Sequence, residues 1–176
     1  MDAAAATQLQ LKGASIIAAI KEAGIEYVLS VPDLHTSKGL LMPIANDPTL
    51  KLIRVCKEDE CLGIAAGLSY GNKRALILIQ HTGFFYAQNA IRGVAVEQKL
   101  PICFMIGLLN AEPGKSPRES KRIGLRNVEP VLDLWGIPHQ TVDTEDDVPR
   151  IAPTIREAYE TSHPTAFLVT RRPAHP

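Results

Sequence analysis

The chain has 176 residues, 45% of them hydrophobic, and its 19 basic residues balance 19 acidic ones. Such a length and composition describe one globular domain with its own core, and exclude disorder, collagen-like repeats and a disulfide scaffold. A net charge of zero gives no support for nucleic-acid binding, which draws on a basic surplus. Cys56, Cys61 and Cys103 form no Cys-x-x-Cys pair and no zinc spacing with histidine, so neither disulfides nor structural zinc are expected. The opening MDAAAATQLQLKG has no basic region leading into an apolar one, and nowhere do roughly 20 apolar residues run together. No membrane association and a cytoplasmic location are therefore expected.

In chain order, Leu9, Leu11, Ile16, Ile17, Ala19 and Ile20 recur at helical spacing, predicting a helix from Thr7 to Ala23 that stops at Gly24. Tyr27 to Val31 reads as a strand closed by Pro32-Asp33, Ser37 to Ala45 as a short helix, and Leu52 to Val55 as a second strand. Glu58 to Tyr70 reads as a helix rich in small residues, followed by the apolar strand Ala75 to Ile79. A turn at Gly83 is expected to lead into a helix reaching Val96, and Ile102 to Gly107 to form the next strand. Residues 110–121, rich in Pro, Gly, Ser and charge, are expected to be a flexible flap. Helix Val128 to Trp135, strand His139 to Val142, helix Asp146 to Thr161 and strand Ala166 to Thr170 complete the chain.

Short apolar strands alternating with helices predict an α/β fold: a single three-layer domain with a six-stranded, mostly parallel sheet and helices on both faces. Ligands in such sheets sit at the carboxyl ends of strands, which directs attention to the loops after Val31, Val55, Ile79 and Gly107. No dinucleotide fingerprint, P-loop or G-x-S-x-G elbow occurs, and no His/carboxylate cluster has metal-ligand spacing.

After Val55 the chain reads Lys57-Glu58-Asp59-Glu60, then Gly63-Ile64-Ala65-Ala66-Gly67. Acids at a helix start are favoured by the macrodipole, which accounts for them as caps and solvated ends. The small residues make a face that admits a very close neighbour, either another chain or a flat ligand. This run resembles the pyrimidine-binding domain of thiamine-diphosphate enzymes, in which a Glu opens a small-residue helix and a Gly follows nine positions on, the separation of Glu58 and Gly67. Val31-Pro32-Asp33, Leu134-Trp135-Gly136-Ile137-Pro138 and the segment near Gly114 stand in the family's order, so the resemblance spans nearly all of residues 1–176. It is nearest to the small subunit of sulfopyruvate decarboxylase and the N-terminal part of phosphonopyruvate decarboxylase.

The resemblance implies a catalytic role for Glu58. A carboxyl bonded to N1′ of the aminopyrimidine favours its imino tautomer, and the 4′-imine takes the proton from C2 of the thiazolium. Such a group is expected to be buried, with a raised pKa. Pro32, Gln88 and Asn89 are implied as further cofactor contacts. A lone His at a strand end is commonly structural, yet His81 stands where benzoylformate decarboxylase has a catalytic histidine, and a near-neutral pKa suits proton transfer. Asp33, His35, Thr36, Lys38 and Thr82 are implied as substrate contacts, Thr36 and Ser37 also suiting an N-cap. Arg92, Arg118 and Arg122 are further cations for a sulfonate or phosphonate, or else solvated surface. Phe84-Phe85-Tyr86 suits a cofactor platform, the core or an interface.

The Gly-Asp-Gly with downstream Asn that holds diphosphate and Mg²⁺ in these enzymes does not occur. The resemblance therefore implies a diphosphate-binding partner subunit that carries this motif, in an α2β2 assembly, with no metal ligands on this chain. It implies decarboxylation of a short anionic 2-oxoacid, such as sulfopyruvate or phosphonopyruvate, to an aldehyde and CO₂. An acetolactate-synthase-like carboligating subunit and a non-catalytic α/β binding or regulatory module are the alternatives.

Overall fold

A computed structural model describes residues 10–112 and 114–175; Thr7 to Leu9 of the first expected helix, and Pro113 of the expected flap, lie outside them. Helix α1 spans Gly13–Glu22. It starts later than the periodicity suggests because the preceding residues join the end of the chain. The Ala174 N–H donates to Leu11 O (2.8 Å) and the Gly13 N–H to Ala174 O (3.0 Å). Gly24, with φ +81°, turns the chain out of the helix as expected.

Strand β1 (Tyr27–Ser30) is followed by a π-helical turn, Ser37–Leu41, that runs into α2 (Met42–Asn46). The wide turn has a cause in Pro43, which has no N–H for Gly39; the Met42 N–H reaches back to Ser37 O. Strand β2 (Lys51–Arg54) leads to α3 (Glu58–Tyr70). Strand β3 (Ala75–Gln80) passes directly into α4 (His81–Tyr86), α5 (Gln88–Ala90) and a π-helical run, Ile91–Glu97. The turn expected at Gly83 is thus not formed, and Gly83 lies inside α4.

Strand β4 (Cys103–Gly107) precedes the 110–121 segment, which contains a 3-10 turn, Pro117–Glu119. Helix α6 (Ile123–Arg126), not foreseen, and α7 (Val128–Leu134) lead to β5 (His139–Val142). The helix expected from Asp146 divides into a 3-10 stretch, Glu145–Arg150, which contains Pro149, and α8 (Ile151–Thr161); β6 (Thr165–Val169) follows.

The six strands pair in the order β2-β1-β3-β4-β6-β5, all parallel. Alternation along the central strand sets the layers. Leu76 and Leu78 point to the face covered by α1 and α8, while Ile77 and Ile79 point to the face covered by α3, α4 and α7. Each such side chain, fully buried, contributes about 1.5–3 kcal/mol, a sizeable share of the ~5–15 kcal/mol net stability of a domain. Strand order reverses beside β1, with β2 on one side and β3 on the other, and this switch point opens a crevice above the carboxyl ends.

Candidate active site

A cavity of about 800 Å³ occupies that crevice. Pro32, Asp33, His35 and Lys38 reach it from the segment after β1, and Glu58 from the head of α3. Thr82 lines it from the first turn of α4, and Arg172 and His175 from the segment after β6.

Glu58 is the first residue of α3, where the helix dipole favours a carboxylate. Its carboxyl faces the cavity and makes no hydrogen bond or ion pair with any described residue. Gly83 stands against it: a Cβ at that position would overlap the Glu58 carboxyl and Cγ. Glu58 is half-buried, in contrast to the full burial expected. Its acidic neighbours separate cleanly by position. The Glu60 carboxylate accepts from the Cys56 N–H (3.0 Å) and the Lys57 N–H (3.4 Å), closing the N-terminal turn of α3, and Asp59 is exposed.

The loop after β1 arches over the sheet to the end of β4. A Cβ on Gly107 would meet Thr36 Cγ2 at 2.9 Å and His35 Cδ2 at 3.2 Å, so Gly107 lets that loop settle. The Asp33 carboxylate is consumed inside the loop, accepting from the His35 N–H, the Thr36 N–H (2.7 Å) and the Thr36 hydroxyl. Asp33, rather than Thr36 or Ser37, therefore ties down the amides that open the following turn. Thr36 is buried under this network and does not line the cavity.

His35 and His81 are both buried, at 5% and 9% exposure, and His35 Nδ1 and Nε2 and His81 Nδ1 have no hydrogen-bond partner. Burial holds the His35 imidazole below the ordinary histidine value; Asp33 opposes this, while the Arg172 and His81 charges add to it and the Val169 carbonyl again opposes. Burial likewise lowers His81, offset by the Gly107 carbonyl and by Asp33.

Several expected contacts lie elsewhere. The Gln88 amide is used on both sides, donating to Phe84 O (2.7 Å) and accepting from Trp135 Nε1 (2.7 Å), which ties α5 to the end of α7. Asn89 is exposed and accepts from Arg92, which also pairs with Glu97. Neither Gln88 nor Asn89 lines the cavity, nor do Arg92, Arg118 and Arg122. Arg118 pairs with Glu129 (3.1 Å) and Asp133 (2.5 Å). Phe84 is a core residue, with Phe85 edge-on at 5.6 Å, while Tyr86 is exposed.

No family model matches the chain. The sulfopyruvate decarboxylase subunit alpha of Methanocaldococcus jannaschii is 28% identical over 159 residues, covering 88% of this chain and 90% of that protein. The corresponding subunit of Methanothermobacter thermautotrophicus is 30% identical over 127 residues, 72% of this chain and 75% of that protein. The chain belongs to the sulfopyruvate decarboxylase alpha subunit family. A longer family relative, the sulfopyruvate decarboxylase of Methanosarcina acetivorans, is 24% identical over 155 residues, 88% of this chain but 39% of that protein.

In this sulfopyruvate decarboxylase alpha subunit homologue, the ionisable cavity residues that sequence reasoning missed, Arg172 and His175, follow β6, while Leu34 and Gln80 also line the wall. The carboxyl-end rule covers the segment after Thr170 as well, and Arg171-Arg172-Pro173 stands there in plain view. Arg171 is anchored to Asp143 (3.1 Å). The Pro173 carbonyl lies so close to Gly39 that a Cβ there would collide with it, and Ala174 is bonded to Leu11 and Gly13. Backbone contacts on both sides thus set Arg172 at the cavity. Among the described residues no helix is long and apolar enough to cross a membrane.

Proposed function

We propose that the chain is one subunit of a thiamine-diphosphate-dependent decarboxylase acting on a short anionic 2-oxoacid of the sulfopyruvate or phosphonopyruvate type, with an aldehyde and CO₂ as products. A partner subunit carrying Gly-Asp-Gly and a downstream Asn would hold the diphosphate and Mg²⁺, in an α2β2 assembly. The observation that carries this reading is the Glu58 carboxyl, unpaired, facing a cavity, and given room by Gly83 in a chain of this family. A free acid beside a cavity of about 800 Å³ fits an aminopyrimidine that needs one hydrogen-bond partner at N1′.

Once bound, thiamine diphosphate would supply the carbon nucleophile and the electron sink that loss of CO₂ requires. Glu58 would hold a proton opposite N1′, and Pro32 would border the ring. The half-burial of Glu58 favours a shared site, because a second polypeptide over the cavity would complete the desolvation that such a proton demands. His81 is buried and is not among the residues lining the cavity, and burial lowers its pKa, so direct proton transfer from it to the reacting carbon has no support in this geometry. Names of relatives support a partner as well. Two are called alpha subunits, and the longer relative matches this chain over 39% of its length.

The test is to capture the partner from the source organism with Mg²⁺ and thiamine diphosphate present, then to assay the complex for CO₂ and aldehyde. Decarboxylation that requires both chains and falls sharply with Glu58→Gln is expected. A product joining two oxoacids would point instead to the carboligating alternative. Absence of any cofactor-dependent partner would leave the non-catalytic module ahead.

A further inference from the structure

Arg172 enters the cavity from the β6 side and Glu58 from the β2 side, with β1, β3 and β4 between them in the sheet. Sharing the wall with Arg172 are His35 and Lys38. Arg172 and Lys38 are exposed to the cavity and make no hydrogen bond or ion pair with any described residue. The nearest acid in that segment, Asp33, is occupied by the amides and hydroxyl of its own loop. His35 supplies an independent sign of a ligand. It is 5% exposed, lines the cavity, and neither ring nitrogen makes a well-formed hydrogen bond, the Val169 carbonyl being at most a weak partner, a costly state that buried polar groups rarely keep.

From these features we infer that His35, Lys38 and Arg172 form a subsite for the distal acidic group of the 2-oxoacid, a sulfonate, phosphonate or carboxylate. Arg172 meets two of its oxygens with the fork of its guanidinium, Lys38 adds a point charge, and His35 donates one N–H. The anchored backbone of residues 171–174 holds Arg172 in position before the ligand arrives, which lowers the ordering cost of binding. The identity of the turned-over acid rests on the proposed function, whereas anion binding at this subsite does not.

Phosphonoacetate is the probe, titrated into the full chain alone and followed by calorimetry and by NMR of the arginine side chains. Saturable binding is expected, stronger than that of acetate, and weakened about 10- to 100-fold by Arg172→Gln, as loss of a charge-assisted contact implies. Lys38→Gln with Arg172→Gln should weaken it further, and Arg172→Lys should fall between. In the assembled complex, Arg172→Gln should reduce the kcat/KM ratio of a 2-oxoacid with a second acidic group over pyruvate by a similar factor, mainly through KM. No saturable phosphonoacetate binding, or equal affinity in wild type and Arg172→Gln, overturns the subsite whatever the complex turns over. Arg172-dependent binding in a complex without decarboxylase activity would keep the subsite and discard the reaction.

Discussion

The carboxyl group of Glu58 fills the space in which residue 83 would carry a Cβ, so the identity of one residue constrains the other. Gly83 lies in α4, directly after β3, and Glu58 in the first turn of α3. Contact between the two helix heads aims the carboxyl at the cavity without any hydrogen bond to hold it.

Glu58→Gln should lower decarboxylation by the assembled complex by about 10²–10⁴-fold, the range for loss of a positioned proton-transfer group, with Tm unchanged. Glu60→Gln keeps the acceptor that closes the α3 N-terminus and should leave both activity and Tm near wild type. Steady-state assays of the two variants side by side decide which acid is functional; equal losses would sink the assignment.

Gly83→Ala should displace the Glu58 side chain while changing stability little, because that unbonded side chain can swing into the cavity and alanine suits the helix interior better than glycine. Activity should drop at least tenfold although Glu58 remains. Because both changes act on one carboxyl, the double variant Gly83→Ala/Glu58→Gln should be no worse than Glu58→Gln alone. Additive losses in that cycle would show that the contact does not position Glu58.

Stability should rise with pH across the histidine range. An unfolded imidazole takes up its proton near pH 6.5, while burial moves the folded His35 and His81 lower. Between those values the unfolded chain holds more protons, so the native state has its full advantage above about pH 6.5 and loses it as pH falls toward the folded values. Thermal melts from about pH 5.5 to 7.5 should show Tm climbing, with a shallower climb in His35→Gln and His81→Gln. An unchanged slope in both variants would refute this account.

Gly39→Ala sets a side chain against the Pro173 carbonyl, a backbone group with little freedom to retreat. A cost of about 3 kcal/mol, at the upper end for overpacking, corresponds to a Tm lower by roughly 6–12 °C for a domain of this length. Residues 171–175 should also loosen, which limited trypsin digestion would detect as faster cleavage after Arg171, the Arg172–Pro173 bond being resistant to trypsin. A protection pattern identical to wild type would show that Gly39 does not clamp this segment.

Much of the architecture was legible in the chain. The boundaries of α3 and the run of apolar residues in β3 follow from local spacing alone, because a buried parallel strand must be apolar on both faces. By position alone Glu58 reads as a helix cap; the family resemblance singles it out, and its place on the cavity wall supports the role proposed for it. The resemblance implies a cofactor contact for Gln88, whereas its amide is bonded to Phe84 and, 47 residues on, to Trp135, a partner that position in the chain does not reveal. The turn expected at Gly83 is absent because its lack of a side chain serves a neighbour on α3, not its own backbone.

The amino-acid sequence by itself determined the alternating elements, their burial and the family, since these depend on periodicity and on residue order along the chain. Only the tertiary structure decided which side chains meet. Strand order β2-β1-β3-β4-β6-β5 carries the end of the chain round to the same carboxyl edge as the loop after β1. Close backbone contact at Gly39 and Gly13 then holds Arg172 beside His35 and Lys38, and that proximity arises from packing between segments more than a hundred residues apart.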